Sequence, residues 1–422
     1  MSESPIRVVE LFAGVGGFRL ALEGKPSSKK KGFKIVWANQ WEPPGTEGRQ
    51  FAYRCYLQRF GHEPAEIDAY VNMDLAMALD LAQEGVWEIP EHDLLCGGFP
   101  CQDYSVARPL SQADGIEGKK GVLWWEIYRL ITMKEPQYIL LENVDRMLKS
   151  PASQRGRDFA IMLSSLAGLG YSVEWRVINA ADYGFPQRRK RVYIYCERLT
   201  SKWDLKERIN SSGVISEAFP IVTDDEGFSE MVIDKDPYRI TQEFGRGLKV
   251  SPFETAGAMQ GYRVVTKKTI PAYRGKRKTL GSILVDETVV PEEFFINTAE
   301  LSAWEFLKGS KKIPRKNKHT GHEYIYSEGG MAFPDSPEQP SRTILTGEGG
   351  RSASRFKHVV TTPSGRYRRL VPEELEQLQG FPKGWTDVGM SDINRAFCMG
   401  NALVVDIPER LGKVIRKRHG QA

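Results

Sequence analysis

The sequence predicts an α/β fold, in which helices cover both faces of a largely parallel sheet and a second domain is inserted towards the C-terminus. In the first half of the chain, apolar runs of strand length alternate with segments of helical length, such as 121–133 and 156–168. Strands buried on both faces have continuous apolar runs, and ligands of such sheets bind at the carboxyl ends of the strands. The runs are RVVELF, FKIVWAN, DLLCGGF, YILLEN, YSVEWRVINA and RVYIYC.

The composition of the 422 residues is that of a folded, water-soluble protein, with 41% hydrophobic and 27% charged residues. The five cysteines form no CxxC pair, which disfavours a disulfide framework and a cysteine zinc site, and we expect no metal. No apolar stretch approaches about 18 residues, and MSESPIRVVELF lacks the pattern of a signal peptide. These features predict a cytoplasmic protein in a reducing compartment.

The inserted domain is predicted over residues 198–368, where the βαβ spacing is lost. This part has scattered Gly and Pro and short β-like pieces such as YRVVT and GSILVDETVV. Helical patterns return at 372–379 and 406–418. We therefore expect a first domain built from 1–197 and 398–422, with 369–397 as the hinge that leads back to it.

The net charge of +5 conceals a basic region. Residues 263–318 contain 13 Lys and Arg against six acids, which is typical of a protein that binds a phosphate backbone. The alternative is a solvated lysine-rich surface. Within this region we expect phosphate contacts rather than base readout from Arg274, Lys276, Arg277 and Lys278.

Three strand ends predict a nucleoside site. ELFAGVGG, residues 10–17, follows a strand and precedes a helix, so that the glycines permit a tight turn close to a ligand. The second strand ends in ANQWE, residues 38–42, which offers an aromatic face and polar groups for a ribose. Asp74 follows Asn72 and Met73, where a carboxylate can accept from an exocyclic amine. By itself, a short glycine cluster is also explained by a structural turn.

The predicted chemical centre combines a cysteine, a carboxylate and two arginines. Cys101 begins a loop at the carboxyl edge of the sheet, a position suited to a nucleophile, although most cysteines are small buried hydrophobes. Glu142 ends a buried strand, so it must be paired or protonated, and a protonated acid can donate to a ring nitrogen. Arg189 and Arg191 share one side of the next strand and can fix substrate oxygens, unless they belong to a surface basic run.

Taken in chain order, ELFAGVGG, GFPCQ, LLENV, PQRRKR and MGNALVVDIP make the chain resemble the DNA cytosine-5 methyltransferases of bacterial restriction-modification or defence systems. PSRTILTGEGG at 340–350 and RLVPEELEQLQGFPKGW at 369–385 extend the match to all but most of the second domain. The resemblance implies a Rossmann-like domain that uses S-adenosylmethionine, with an inserted, smaller, mostly β or irregular target-recognition domain. It also implies a monomer that acts on double-stranded DNA, and it leaves open whether a cognate restriction endonuclease or other defence proteins accompany it.

By position, the resemblance gives each site residue a role. Cys101 adds to carbon 6 of a flipped-out cytosine, Glu142 holds or protonates ring N3, Arg191 contacts O2, and Arg189 supports Glu142 or a phosphate. Asn401, expected at the head of the last helix, closes the methionine side of the cofactor site. The other residues implied for the cofactor are Phe12, Gly14, Gly16, Gly17, Gln40, Trp41, Asp74, Pro100 and Leu123. Those implied for the substrate and DNA are Gln102, Ser105, Asn143, Gln187 and Thr343.

One position departs from the family pattern. Gln40 stands where the family usually has a glutamate for the ribose hydroxyls, so we predict weaker cofactor binding than with Glu. A tRNA cytosine-5 methyltransferase of the same superfamily would have a short insert and usually a Cys-Phe-Thr tripeptide, neither of which is present. An inactive DNA-binding paralogue should have lost the cysteine, the glutamate or the glycines, all of which remain.

Overall fold

The computed structural model describes residues 4–25, 27–30, 32–42, 50–61, 69–99, 123–198, 201–316 and 321–420. These residues divide into two compact units. Unit 1 is drawn from 1–183, 190–276 and 403–422, and unit 2 from 184–189 and 277–402.

Unit 1 is built on a ten-stranded mixed sheet with the order β10-β12-β11-β8-β9-β7-β6-β1-β4-β5. The strands β1, β4, β5, β6 and β7 form four parallel pairs, and the five pairs from β7·β9 to β10·β12 are antiparallel. The prediction of a largely parallel sheet is therefore wrong for the half of the sheet beyond β7. All six apolar runs predicted as strands are strands of this sheet. The bounds in unit 1 are β1 Ile6–Leu11, β2 Gly24–Lys25, β3 Ser28–Lys29, β4 Phe33–Asn39, β5 Tyr70–Val71, β6 Leu94–Gly98, β7 Tyr138–Val144, β8 Tyr171–Asn179, β9 Lys190–Arg198, β10 Phe228–Val232, β11 Ala256–Gln260 and β12 Arg263–Lys267.

The helices of unit 1 bury apolar residues at helical spacing. In the segment 123–134, Trp124, Ile127, Leu130 and Ile131 are buried in the core, as the spacing of three and four residues requires. Within the described residues, no helix combines the length and the apolar character needed to cross a membrane. The helices are α1 Gly17–Leu22, α2 Phe51–Phe60, α3 Leu75–Gln83, α4 Leu123–Lys134, α5 Arg157–Gly168, α6 Leu205–Glu207, α7 Val214–Ala218, α8 Pro237–Glu243 and, at the C-terminal end, α12 Asp406–His419.

The boundary between the units differs from the predicted one. Residues 201–276 belong to unit 1, not to the inserted domain, because β11 pairs with β8 and extends the sheet through β12 to β10. The physical reason is that β8 would otherwise leave an unpaired edge. Gly257 faces Trp175 in this pairing, and a glycine is required there because an added Cβ would lie 2.1 Å from the indole ring. The chain returns to unit 1 at 403, so that the predicted hinge 369–397 lies within unit 2.

Unit 2 is smaller and largely irregular. The predicted β piece GSILVDETVV instead forms two 3₁₀ turns, Leu280–Ile283 and Glu287–Val289. A small apolar cluster contains Val290, Phe294 and Val371. The regular elements are β13 Lys311–Lys316, β14 Glu323–Glu328, β15 Val359–Thr361, β16 Tyr367–Arg369, α9 Leu301–Lys308, α10 Pro372–Leu378 and α11 Asp392–Asn401.

Buried ion pairs complete the core of unit 2. Arg368 forms two hydrogen bonds to Glu374, of 2.7 and 2.8 Å, and both side chains are almost fully buried. Glu374 also accepts from the backbone of Val285 and Val371, so its charge is fully compensated. Arg342 pairs in the same two-pronged way with the buried Asp335, at 2.8 and 3.0 Å. The first pair links the strand Tyr367–Arg369 to the helix Pro372–Leu378, and the second joins two segments that lie outside regular strands and helices.

A buried acid in unit 1 connects β1 to the helices α1 and α2 through hydrogen bonds. Glu10, in β1, is fully buried and accepts hydrogen bonds from the backbone of Arg19 at 3.3 Å and the hydroxyl of Tyr56 at 2.9 Å. Arg19 pairs with Glu23 at 2.6 Å and lies over the ring of Phe60, 4.4 Å from its centroid. Burial raises the pKa of Glu10 to about 7, although the Tyr56 hydroxyl and the Arg19 charge oppose this shift.

The close approach of Gly257 to Trp175 predicts that a larger residue at position 257 destabilises the protein. Gly257→Ala should lower the free energy of unfolding by about 1–3 kcal/mol, because the new methyl group collides with Trp175 in a close-packed core. Urea unfolding measures the change. The matched control is Gly168→Ala, whose Cβ would meet only the Tyr262 hydroxyl at 3.8 Å. Equal stability of the two variants would contradict this account of the pairing.

The buried acid predicts a pH dependence of stability. With its pKa raised from 4.5 to about 7 on folding, Glu10 keeps in the folded state a proton that the unfolded chain releases. Its contribution to stability is therefore complete below pH 4.5 and is lost as the pH rises through 7. Glu10→Gln cannot ionise, so its stability relative to the original protein should rise by about 2–3 kcal/mol between pH 5 and pH 8. Urea unfolding at several pH values measures this, with the exposed Glu88→Gln as control. A pH-independent difference would contradict the prediction.

Candidate active site

A strained glycine turn follows β1. Phe12, Gly14 and Gly16 have φ angles of 52°, 56° and 87°, and the Gly16 N–H donates to the Ala13 carbonyl at 2.8 Å. Gly16 admits no side chain, because an added Cβ would lie 2.4 Å from the ring of Phe60. Gly14, by contrast, faces open space, since an added Cβ would find only the Phe12 carbonyl, at 3.9 Å. Phe60 of α2 therefore closes the side of the turn at Gly16, whereas the space beside Gly14 is open.

The second and third predicted strand ends meet this turn. The Ala13 N–H donates to the Asn39 carbonyl at 3.0 Å, and the Gly14 N–H donates to Gln40 Oε1 at 2.7 Å. Asn72 Nδ2 donates to the Gln40 carbonyl at 2.7 Å. The structure therefore brings together three strand ends that the sequence assigned to one nucleoside.

The polar and aromatic groups at this edge have the chemistry of a nucleoside site. Phe12 and Trp41 are half-buried, so their rings are accessible to a base. Asp74 caps α3 by accepting from the Ala76 N–H at 3.0 Å, which engages one of its two carboxylate oxygens. Gln40 uses its oxygen on Gly14, and its amide nitrogen is the group suited to a ribose oxygen.

The edge of the sheet where β6 and β7 end and the antiparallel β9 begins holds the predicted acid and one arginine together. Arg191 Nε lies 3.0 Å from Glu142 Oε1, and the two side chains are 18% and 12% exposed. The antiparallel pairing of Val144 with Arg191 places both residues at this edge. Gly98 is paired with Glu142 across β6 and β7, and an added Cβ there would lie 3.0 Å from Glu142 Oε2. A side chain at 98 would therefore compete with the carboxylate for the same space.

Asn143 fixes the chain where it leaves β6. Its side chain is buried, with Nδ2 donating to the Phe99 carbonyl at 3.0 Å and Oδ1 accepting from the Val144 N–H at 2.8 Å. Asn143 therefore has a structural role at this edge, and its predicted contact with the substrate stays a prediction. Phe99 in turn packs near Trp124, with ring centroids 6.5 Å apart, and the half-buried Leu123 opens the same helix. Asn143 thus fixes the position of Phe99, which precedes the predicted nucleophile Cys101 by two residues.

Four predicted residues of that loop lie outside the described residues: Pro100, Cys101, Gln102 and Ser105. The four cysteines that the structure does describe, namely Cys55, Cys96, Cys196 and Cys398, are all buried. Burial raises the pKa of the Cys96 and Cys196 thiols far above the ordinary value, which disfavours a thiolate at either position. Cys101 is the remaining cysteine of the five in the sequence, and its role as the nucleophile stays a prediction.

Arg189 and Gln187 are both buried and form hydrogen bonds within unit 2, and their predicted roles at the substrate stay predictions. Arg189 is buried and donates to the carbonyls of Ile344 at 3.3 Å and Gly400 at 3.0 Å, whereas the ion pair to Glu142 comes from Arg191. Gln187 is fully buried in unit 2, and it bonds to Leu378, Gln379 and Ile344. Alternation along the strand predicted a shared side for the two arginines, but β9 begins only at Lys190, so Arg189 precedes the regular strand.

The remaining predicted residues are more accessible. The half-buried Thr343 donates its hydroxyl to the Arg188 carbonyl at 2.6 Å. Asn401 is exposed and is the last residue of α11, not the head of the last helix, which begins at Asp406. The predicted phosphate contacts Arg274, Lys276, Arg277 and Lys278 are all exposed. Their roles, like that of Thr343, stay predictions.

Three supporting residues were missed by the sequence reasoning. Gly98 makes room for the carboxylate, the Phe99 carbonyl anchors Asn143, and Phe60 closes the space under Gly16. The Gly-Gly pair before Phe99 was a visible signal of close approach, since a glycine in a strand interior often marks such a site. No comparable signal identifies Phe60, which is 44 residues from Gly16 in the sequence.

Comparison with known proteins gives the same family as the sequence motifs, and the match extends over nearly the whole chain. The family model for C-5 cytosine-specific DNA methylases matches residues 6–417. The type II methyltransferase M.Sau3AI of Staphylococcus aureus is 46% identical over 421 residues, covering 98% of this chain and 96% of that protein. M.HhaI of Haemophilus parahaemolyticus, also a type II methyltransferase, is 33% identical over 193 residues, which is 46% of this chain and 49% of that protein.

A solved structure supports the fold. The Dnmt2 methyltransferase of S. pombe superposes with a TM-score of 0.58 at 14% identity, and the match covers 99% of this chain and 100% of that one. The predicted α/β methyltransferase fold is thereby confirmed. With the family model and the full-length relative, the chain belongs to the family of C-5 cytosine-specific DNA methylases, as its motifs indicated.

Proposed function

We propose that the protein transfers a methyl group from S-adenosylmethionine to carbon 5 of a cytosine flipped out of duplex DNA, within a specific sequence, through a transient bond between Cys101 and carbon 6. The observation that supports this most directly is the 3.0 Å ion pair between Arg191 and Glu142. It lies where β7 ends and the antiparallel β9 begins, beside β6, whose exit is anchored at Phe99, two residues before Cys101.

The chemistry of cytosine explains why a nucleophile and an acid are both needed. Carbon 5 is a weak nucleophile, so the Cys101 thiolate first bonds to carbon 6 and the electrons of the 5,6 double bond move towards carbon 5. When bound, S-adenosylmethionine would supply an electrophilic methyl group, and carbon 5 would bond to it as the methyl–sulfur bond breaks and the sulfonium becomes the neutral thioether S-adenosylhomocysteine. A base then removes the carbon 5 proton, the double bond forms again, and the thiolate leaves. The complete cycle returns Cys101 to the thiolate and the ring to its neutral form, with the cofactor's methyl group exchanged for the carbon 5 proton.

Glu142 and Arg191 act on the ring while it bears the thiolate. Glu142 holds or protonates N3 as negative charge develops there, which is the role of a carboxylic acid placed against a substrate ring. Arg191 orients Glu142 and is itself fixed by donating to the Lys190 carbonyl at 2.7 Å. Because a guanidinium has five N–H donors, Arg191 also has the capacity to bind O2 of the base.

The residues at the glycine turn fit S-adenosylmethionine. The space above Gly14, which a Cβ would enter without contact closer than 3.9 Å, accommodates the methionine side. Phe12 and Trp41 would flank the adenine, the Asp74 carboxylate would accept from its amine, and the Gln40 amide would bind the ribose. Gly17 begins α1, and Leu123 and Asn401 complete the set carried over from the family resemblance.

Duplex DNA is the substrate that the accessible charges favour. A base inside a duplex is out of reach, and flipping it costs a few kcal/mol, which pocket contacts and neutralised phosphates offset. The exposed residues Arg274, Lys276, Arg277 and Lys278 are suited to the phosphates. The M.Sau3AI relative is named a type II methyltransferase, which supports a sequence-specific role within a restriction-modification system.

The covalent step is tested by trapping. DNA with 5-fluorocytosine in the recognition sequence cannot lose the substituent at carbon 5, so the original protein with cofactor should form an adduct that survives denaturing electrophoresis. Cys101→Ser should abolish the adduct. The matched control is Cys398→Ser, at the most exposed of the described cysteines, which should still be trapped. Absence of an adduct with an active original protein would overturn the proposed mechanism.

The ribose contact is tested at Gln40. Because its one oxygen already accepts from the Gly14 N–H, Gln40→Glu supplies a second, charged acceptor for the ribose hydroxyls. Hydrogen bonds to charged groups are worth about 1 kcal/mol more than neutral ones, so the cofactor should bind roughly fivefold more tightly. Isothermal titration calorimetry measures the Kd, with Gln40→Ala as the control that should weaken binding. Unchanged or weaker binding by Gln40→Glu would refute the predicted role.

A further inference from the structure

Unit 2 contains a free-standing two-stranded ribbon, formed by residues 311–316 and 323–328, which we call the basic ribbon. These strands pair only with each other within the described part of the chain. Residues 312–316 are all exposed, and Ile325 on the partner strand is 69% exposed. An isolated two-stranded hairpin of this kind is only marginally stable in water by itself. Packing within the protein therefore does not account for this sequence.

The ribbon has an excess of positive charge. Four basic residues lie in β13, namely Lys311, Lys312, Arg315 and Lys316, against two acids in β14. Lys316 lies 3.8 Å from Glu323, but both side chains are more than half exposed, so this pair contributes little and yields readily to a stronger anion. A polyanion is the partner that such a surface favours.

A chain of contacts holds Arg315 in place. Its guanidinium lies over the ring of Tyr326, 3.8 Å from the centroid, and the Tyr326 hydroxyl donates to Glu328. Glu328 pairs with Arg355 at 3.3 Å. Arg355 is tied to the body of unit 2 by its bond to the Leu307 carbonyl, at 3.2 Å. Arg315 is therefore pre-organised, unlike an ordinary surface arginine.

We propose that the basic ribbon enters the major groove of the target duplex, where Arg315 reads a guanine and Lys312 and Lys316 contact phosphates. The groove is about 12 Å wide and admits a two-stranded ribbon. A fixed planar guanidinium matches O6 and N7 of guanine, whereas flexible lysines suit phosphates as point charges. Lys312 and Lys316 share the face opposite Arg315, because side chains alternate along a strand. This inference rests on the proposed function, since it requires a duplex DNA substrate.

Base readout is tested by changing Arg315. Arg315→Ala and Arg315→Lys should each lose roughly 10- to 100-fold discrimination at one guanine of the recognition sequence, measured by bisulfite sequencing of a methylated library of variant sites. Arg315→Lys keeps the charge, so its overall DNA affinity should change little. Tyr326→Phe removes the bond to Glu328 and should reduce discrimination less than either Arg315 variant.

Phosphate contact is tested with the double variant Lys312→Ala/Lys316→Ala. It should weaken binding to all sequences similarly and reduce the slope of log affinity against log salt by about 2, or one per lysine. The control is Lys34→Ala. Lys34 is exposed and lies near the start of β4, so it is at the opposite end of the parallel strands from the predicted site. That variant should leave affinity, salt slope and specificity unchanged. Thermal unfolding confirms that each variant is folded.

The outcomes separate the two proposals. If the original protein neither methylates cytosine nor forms the covalent adduct, the proposed function fails. If it methylates a defined sequence while both Arg315 variants keep full discrimination at every position, readout by the basic ribbon is wrong and the proposed function stands. An unchanged salt slope in the lysine double variant would likewise overturn the phosphate contacts.

Discussion

A carboxylate at the end of a buried strand must be compensated, and much of the site follows from how this chain meets that requirement. Glu142 is only 12% exposed, so its charge is stabilised by Arg191 at 3.0 Å. For the pair to form, β7 and β9 must run antiparallel in the register that places Val144 opposite Arg191. The neighbouring strand must also lack a side chain at 98, where a Cβ would crowd Glu142 Oε2. The position of the Glu142 carboxylate therefore depends on three features: the register of β7 and β9, their antiparallel direction, and the glycine at 98.

The two ends of the site use different means to achieve rigidity. At the chemical end, side-chain hydrogen bonds fix the backbone, since Asn143 holds Phe99 and so defines where the Cys101 loop begins. At the nucleoside end, steric exclusion fixes it, because Gly16 lies against Phe60 and Phe12 adopts a φ of 52° that most residues avoid. The buried group around Glu10 supports this second end from β1 and α2. Strain of this kind persists only where the surroundings determine it.

The sequence was informative wherever a local pattern decided the structure. The six apolar runs became strands because burial on both faces leaves few alternatives, and the strand ends followed from the sheet. Roles that depend on distant partners could not be predicted. Asn143, Gln187 and Arg189 were predicted at the site by position, yet each also forms hydrogen bonds to residues of its own unit. The strand at 256–260 was missed for a related reason, since it is stabilised by pairing with β8, some 80 residues earlier.

The accessible cations of this chain fall into two physical kinds, which implies a division of labour in DNA binding. Arg274 and Lys276 lie in an exposed loop and must lose side-chain entropy on contact, so they suit phosphates, which tolerate many geometries. Arg315 is already held over Tyr326, so little entropy remains to be lost when it forms two hydrogen bonds to one base. Sequence discrimination needs fixed geometry because a donor that can reorient will also bind the wrong base. The contacts that hold a side chain before DNA arrives are therefore a better guide to base readers than the density of positive charge.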